Sequence, residues 1–292
     1  MTSTTAPTLV ATNAVGFVEH PGLDSNPYLI DVDGRPYVPI GDGGVALGLS
    51  LGDSVFAFDA DHASPAVSLI HPEQAARHAL TVFACLGNRV TIRTGAAAGS
   101  IGAVLGKRGE SGRVLAWFPP EVMALVVPGD GMAVRALGQG ARLPAAIHDV
   151  GGQLLNVDPA VLPALGIHLG DSIGVTVRGS VPSKLIGNGI GRPAHQWDLD
   201  LQVDEGNATD WGLSGLQIGD LVAVDNLDVR HNTGFRRGWI TVGVIVTTTS
   251  PRPGHGAGLM PILCAPAGSI TAVVRPDGHT GVTAELLAGS NS

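Results

Sequence analysis

Charge is scarce in this chain of 292 residues: Asp, Glu, Lys and Arg together make up 14% of it, and only 17 residues are Lys or Arg. With a formal net charge of −8 there is no basic footprint for nucleic acid or for an anionic membrane surface, so neither partner is expected. Cysteine is nearly absent. Cys85 and Cys264 lie far apart inside apolar runs, which predicts two buried thiols rather than a secreted disulfide framework. No segment holds eighteen uninterrupted apolar residues, and the opening MTSTTAPTLVATNAVG has neither the basic nor the apolar region of a signal peptide. A soluble, cytoplasmic protein is expected. No Ser sits in a nucleophile elbow and neither Cys adjoins a His in a catalytic pattern, so covalent catalysis is a minor expectation. TGAAAGSIGAVLGKRG (94–109) lacks phosphate-loop spacing, and GNGIG (187–191) lacks the dinucleotide fingerprint. No nucleotide cofactor follows.

What the chain does have is glycine and proline, 42 and 20 of them, with aromatics at 4%. Turns and short strands, rather than helices laced with charge, are the expected product. One device recurs as GLSLGDSVFAF from Gly48, GIHLGDSIGVTV from Gly166 and GLQIGDLVAV from Gly215, with a looser copy, VPGDGMAV, at 127–134. Gly supplies a positive φ and Asp can bind turn amides, after which an apolar run enters a sheet. Two helices stand out. One, about 72–86, has Pro72 near its start and Gly87 as its stop; a short one follows the Asp158 cap and ends at Gly166. The expected fold is mainly β with a few short helices, barrel- or sandwich-like, in two subdomains: 1–153 carrying the longer helix, and 154–292 carrying the site. An apolar fraction of 44% with so little charge also predicts a homo-oligomer.

The chemistry concentrates in GNGIGRPAHQWDLDLQ (187–202). As a half-buried strand, its second part would put Gln196, Asp198, Asp200 and Gln202 on one face, and His195, Trp197, Leu199 and Leu201 on the other. Carboxylates at i and i+2 then stand roughly 7 Å apart. In an apolar setting they need a metal, a cation or a proton between them. His255, among glycines and prolines in SPRPGHGAGLMP, is the best imidazole to join them. Asp198, Asp200 and His255 are therefore the expected catalytic and metal-binding set, with Zn, Mn or Mg as the ion. Gly189, Gly191, Arg192 and Lys107 are expected to bind substrate and steady an oxyanion. Asp225 and His231, on a loop leaving a strand, complete the substrate set. The remaining histidines, His62 among them, read as ordinary.

Seven patches in order, GSIGAVLGKRG (99–109), LNVDP (155–159), VPSKLIGNGIG (181–191), WDLDLQ (197–202), IGDLVAVDN (218–226), GWITVGVIV (238–246) and GHGAGL (254–259), resemble a bacterial family described only as a domain of unknown function with a structural-genomics crystal structure. The resemblance implies a His after Gly-Lys, where this chain has Arg108. It also implies His-Ser-Asp where this chain has Thr247, Thr248 and Thr249. Two imidazoles of the pattern are thus replaced. A fold-level likeness to acetamidases and formamidases rests on the Gly-Asp turns and the Asp-bearing strand. The expected function is metal-assisted hydrolysis of a C–N bond in a small, open or cyclic, amide. Alternatives are a metal-free isomerase, lyase or cyclase working through paired carboxylates, and a non-catalytic small-molecule-binding or scaffold protein.

Overall fold

The computed structural model describes residues 8–22, 26–109, 112–232 and 234–289. The first half curls into a closed six-stranded barrel, order β1-β4-β7-β6-β5-β8. Its strands are β1 (Thr12–Val18), β4 (Val67–Ile70), β5 (Arg89–Ile92), β6 (Ile101–Arg108), β7 (Arg113–Trp117) and β8 (Gly131–Ala136). Between β1 and β4 a two-stranded hairpin, β2 (Leu29–Ile30) and β3 (Pro36–Tyr37), stands off the wall. Helix α1 (Gln74–Phe83) buries Leu80 at the barrel, and α2 (Pro120–Met123) and α3 (Ala145–His148) are single turns.

The second half is built on a sheet ordered β12-β14-β15-β16-β13: β12 (Gly179–Pro182), β13 (Leu199–Leu201), β14 (Leu221–Asp228), β15 (Gly234–Ile245) and β16 (Ala257–Pro266), with β9 (Gln153–Leu154) also pairing β16. β10 (Ile167–Leu169), β11 (Ile173–Val177) and β17 (Ile270–Val274) form a small sheet, and α4 (Ala284–Gly289) closes the described chain. The barrel therefore ends at Ala136, while Gln153 and Leu154 already pair within the second sheet.

Strand alternation explains how the halves join. On β6 and β7, Val104, Val114 and Ala116 fill the barrel. Their neighbours Ala103, Leu105, Leu115 and Trp117 face outward and pack against Val242, Val244, Met260 and Ile262 of the second sheet. The opposite face of that sheet buries Leu199, Leu201, Val222 and Leu259 beneath the 208–218 loop. Two subdomains thus share one apolar seam.

The repeated Gly-Asp turn works as its sequence implies at three of its copies. The carboxylates of Asp53, Asp130 and Asp220 each accept the backbone N–H three residues earlier, at 2.7, 3.0 and 2.9 Å. Asp130 and Asp220 then launch β8 and β14, and the copy at 166–177 launches β11. The copy at Gly48 launches no strand. It lies instead against the third copy: Ser54 bridges Gln217, Gly52 N–H donates to the Ile218 carbonyl and Val55 N–H to the Leu216 carbonyl. The predicted longer helix is shorter than its pattern, and the turn after Asp158 is a 3-10 turn over Pro159–Val161 capped by the Asp158 side chain. Both cysteines are buried free thiols, and burial pushes each up to about 11.

Lys107 is fully buried and points into the core, not toward a cleft. Its Nζ donates to Asn156 Oδ1 (2.6 Å), the His195 carbonyl (2.8 Å) and the Val82 carbonyl (3.3 Å), so it ties α1, the domain junction and the 195 loop together. Burial holds its ammonium down to about 7. The unfolded value is near 10.4, so from about pH 7 to 10 the unfolded chain binds the extra proton and stability rises with pH, by up to about 1.4 kcal/mol per unit. Lys107→Met is expected to flatten that rise in urea unfolding at pH 7, 8 and 9. Parallel profiles for the two proteins would disprove the assignment.

Candidate functional site

Three glycine-rich segments meet at β13. Gly187 N–H donates to the Asp200 carbonyl, Asp200 N–H to the Asn188 carbonyl and Asn188 N–H to the Gly254 carbonyl, all within 3.0 Å. β13 pairs β16 with Asp200 opposite Gly258. Glycine is required here by contact: a Cβ on Gly256 would lie 1.9 Å from the Leu201 carbonyl oxygen, and one on Gly258 would lie 2.6 Å from Asp198 Oδ2. The sequence order GNGIG, WDLDLQ, GHGAG is thus gathered into one place by backbone that approaches too closely for side chains.

The strand carrying the aspartates is not half-buried as alternation suggests. Only Leu199–Leu201 is strand, and it is buried on both faces. Leu199 and Leu201 enter the apolar cluster, while Asp198 and Asp200, 6% and 5% exposed, face the barrel side. Asp198 Oδ1 accepts the Gly109 N–H at 2.7 Å. Burial, and then the Asp200 charge, push the Asp198 carboxyl up to about 6.

The partner of Asp200 is His62, whose Nε2 lies 2.7 Å from Asp200 Oδ1. His62 Nδ1 faces Asp61 Oδ1 at 3.0 Å and Arg108 Nη2 at 3.2 Å. His255 Nδ1 lies 3.3 Å from Asp200 Oδ2, and the two imidazoles meet edge to face at 5.2 Å. Segment 61–64 reaches this position by lacing onto the threonine tract: Ala63 N–H donates to Thr248 Oγ1, Thr248 N–H to the Ala63 carbonyl, and Ser64 Oγ to the Val246 carbonyl. His62 adopts φ 50, a left-handed conformation that costs a side-chain-bearing residue free energy and that the lacing enforces.

A network of buried charged side chains surrounds the imidazole. Arg108 pairs with Asp42; Arg252 bonds Asp42 Oδ2 at 2.8 Å and Asp61 Oδ2 at 2.9 Å; Asp61 returns to His62. Arg113 joins Asp42 at 3.4 Å and Glu19 at 2.6 Å, and Tyr37 donates to Asp61 at 2.8 Å. Burial alone would raise Asp42, yet Arg108 and then Arg113 hold it below the ordinary carboxylate range. Burial would likewise raise Asp61, but its bond and attraction to His62 hold it well below. For His62, burial and Arg108 oppose the charge, while the bonds to Asp200 and Asp61 outweigh them and raise it.

His62, Asp200 and His255 offer ligand atoms all within 4.8 Å of one another. Ligands of a tetrahedral Zn stand about 3.4 Å apart, given bonds near 2.1 Å, so a small contraction would close the three on an ion. Asp61 behind His62 Nδ1 is the outer carboxylate that typically orients a metal-bound imidazole. The residues therefore fit a divalent ion. Beside them lies a cleft of about 470 Å³ lined by His255, Arg252, Gln202, Thr249 and Ser250, with Asp59 and Asp204 also on its wall.

Several expected site residues lie elsewhere. Lys107 is in the core, on the opposite face of β6 from Arg108. Gly189, at φ 92, sits where a Cβ would lie 2.3 Å from the Asp198 carbonyl oxygen, and Gly191 is exposed. Arg192 stacks on Trp197 at 4.9 Å. Asp225 accepts from Ser180 Oγ at 3.1 Å, and His231 is an exposed loop residue. None of these lines the cleft. Conversely, sequence reading passed over His62, Asp61, Asp42 and Arg252. The available signal was Asp61-His62 in adjacent positions, without any spacing that ties them to residue 200. The two positions at which the resemblance implies imidazoles also face this centre: Arg108 touches His62, and Thr247 Oγ1 accepts the Gly258 N–H beside Asp198.

A six-stranded barrel seamed to a second sheet, with a buried carboxylate–imidazole centre contributed by both halves, defines the class of protein. The chain belongs to the family called Domain of unknown function (DUF4438): its N-terminal model matches residues 28–163 and its C-terminal model residues 164–282. Among solved structures it is similar to one titled "Crystal structure of TM1086", at 30% identity and a TM-score of 0.86, over 93% of this chain and 95% of that one. No curated protein matches the chain. No helix among the described residues is long and apolar enough to cross a membrane.

Proposed function

We propose that the cleft beside His255 hydrolyses a C–N bond of a small amide with a divalent metal held by His62, Asp200 and His255. The observation that carries this reading is Asp61 set behind an imidazole whose other nitrogen converges with Asp200 and with His255, and His255 in turn lines a cleft. Two imidazoles with one carboxylate favour Zn or Mn over Mg, which prefers oxygen. Bound there, the ion would bring its water toward neutral pKa and so supply a nucleophile that the chain otherwise lacks. Asp198, with its raised carboxyl, is suited to take or return a proton. Arg252, fixed by Asp42 and Asp61 yet 16% exposed at its side chain, would orient a carbonyl or carboxylate oxygen.

The test is metal analysis of purified protein with a screen of linear and cyclic amides. About one equivalent of tightly held Zn or Mn, with amide turnover lost to a chelator and restored by the ion, is the expected result. The second reading, acid–base catalysis without metal, draws on Asp198 and Asp200, two buried carboxyls whose charges interact. Turnover in protein holding under about a tenth of an equivalent of metal would select it.

A further inference from the structure

We propose that the outer wall of the barrel binds a soluble anion bearing two or more phosphate-type groups, at a groove over Arg89, Arg135 and Arg93. β5 and β8 pair with Val90 opposite Val134, and both valines point into the barrel. That register sets Arg89 directly opposite Arg135 on the outer face, with Asn13 of β1 opposite Arg135 on its other side. Arg93 lies four residues along from Arg89, about 13 Å at the rise of a strand, on the same face. All three arginines are exposed, and together with Asn13 and Thr91 they line a concavity of about 560 Å³ without any carboxylate. Among the described residues no ion pair involves any of them.

Like charges directly opposite on a sheet are destabilising. In a chain with only 17 basic residues and a net charge of −8, three unpaired guanidiniums in one groove form a local excess of positive charge. A multiply charged anion converts the repulsion into attraction, because guanidinium forks match phosphate oxygens bidentately. The row of charge is too long for a single carboxylate to span, whereas a chain of phosphate groups can bridge it, and Asn13 and Thr91 add neutral donors. The groove shares no residue with the cleft beside His255, so the proposal stands apart from the hydrolytic reading.

Inorganic triphosphate is the probe, in calorimetric titration and thermal melting at constant ionic strength, with NaCl as control. Expected are a saturable rise in Tm and binding at least tenfold tighter than that of inorganic phosphate. Arg135→Gln is expected to weaken triphosphate binding about tenfold or more, as loss of a charge-assisted bidentate contact does. The same substitution is expected to leave the free protein melting at the same or a higher temperature, since it removes the opposed charge. Arg89→Gln reads out the same effects should Arg135→Gln fail to fold. A Tm response no larger than that of NaCl, affinity equal to that of inorganic phosphate, or unchanged triphosphate binding in the variant would overturn the proposal. Dissociation of a dimer by Arg135→Gln in sedimentation would do so as well, since the arginines would then serve a second copy of the chain.

Discussion

Asp42→Ala is expected to destabilise the protein by about 3–5 kcal/mol, the cost of breaking a buried ion pair by removing one partner. Asp42 is 5% exposed and faces three guanidiniums, those of Arg108, Arg113 and Arg252. Its loss leaves them without their shared counter-charge in a setting that water barely reaches. Urea unfolding measures this directly as a fall in midpoint at unchanged slope. A change under about 1 kcal/mol would mean that the network relaxes to solvent and does not hold the site. The same substitution removes the Asp42 anchor of Arg108 and Arg252, so any amide turnover should fall along with stability. Asp42→Asn, which keeps the shape, should cost less.

His62→Ala is expected to abolish metal retention and lower turnover by more than about a hundredfold, beyond the 10- to 100-fold range of outer-shell losses. Asp61→Asn should fall within that range, because it removes the orienting carboxylate and leaves the imidazole in place. The pair of variants separates a ligand from its support. Metal content by mass spectrometry, read beside turnover, checks both. Native metal content in His62→Ala would remove His62 from the ligand set and favour Asp198, Asp200 and His255, the set expected from sequence. The left-handed φ of His62 adds a second expectation: His62→Gly restores folding stability lost in His62→Ala without restoring the ion.

Legibility differed between elements for physical reasons. The Gly-Asp turns are local, with the carboxylate binding an amide three residues back, so their pattern can be read along the chain. The same holds for the β-rich class, the buried thiols and the Asp158 cap. GNGIG, WDLDLQ and GHGAG were legible as a meeting place, since runs of glycine mark close backbone approach. Alternation misled at Asp198 and Asp200, because it assumes that one face of a strand is wet, whereas here barrel and loop cover both. Lys107 was misplaced for a related reason. A basic residue beside a glycine loop suggests a ligand, but the bulge of β6 and the acceptors from three segments draw it inward.

By itself the sequence determined composition-level and local facts: a turn-rich β chain, two apolar thiols, and a carboxylate pair that demands compensation. Only the tertiary structure decided what compensates it. The answer is an imidazole 138 positions away, carried across the interdomain seam by hydrogen bonds to a threonine tract, and steadied by a network of arginines and aspartates drawn from both halves. Electrostatic partnership of this kind depends on distance in space and on exclusion of water. Neither leaves a period or a spacing along the chain.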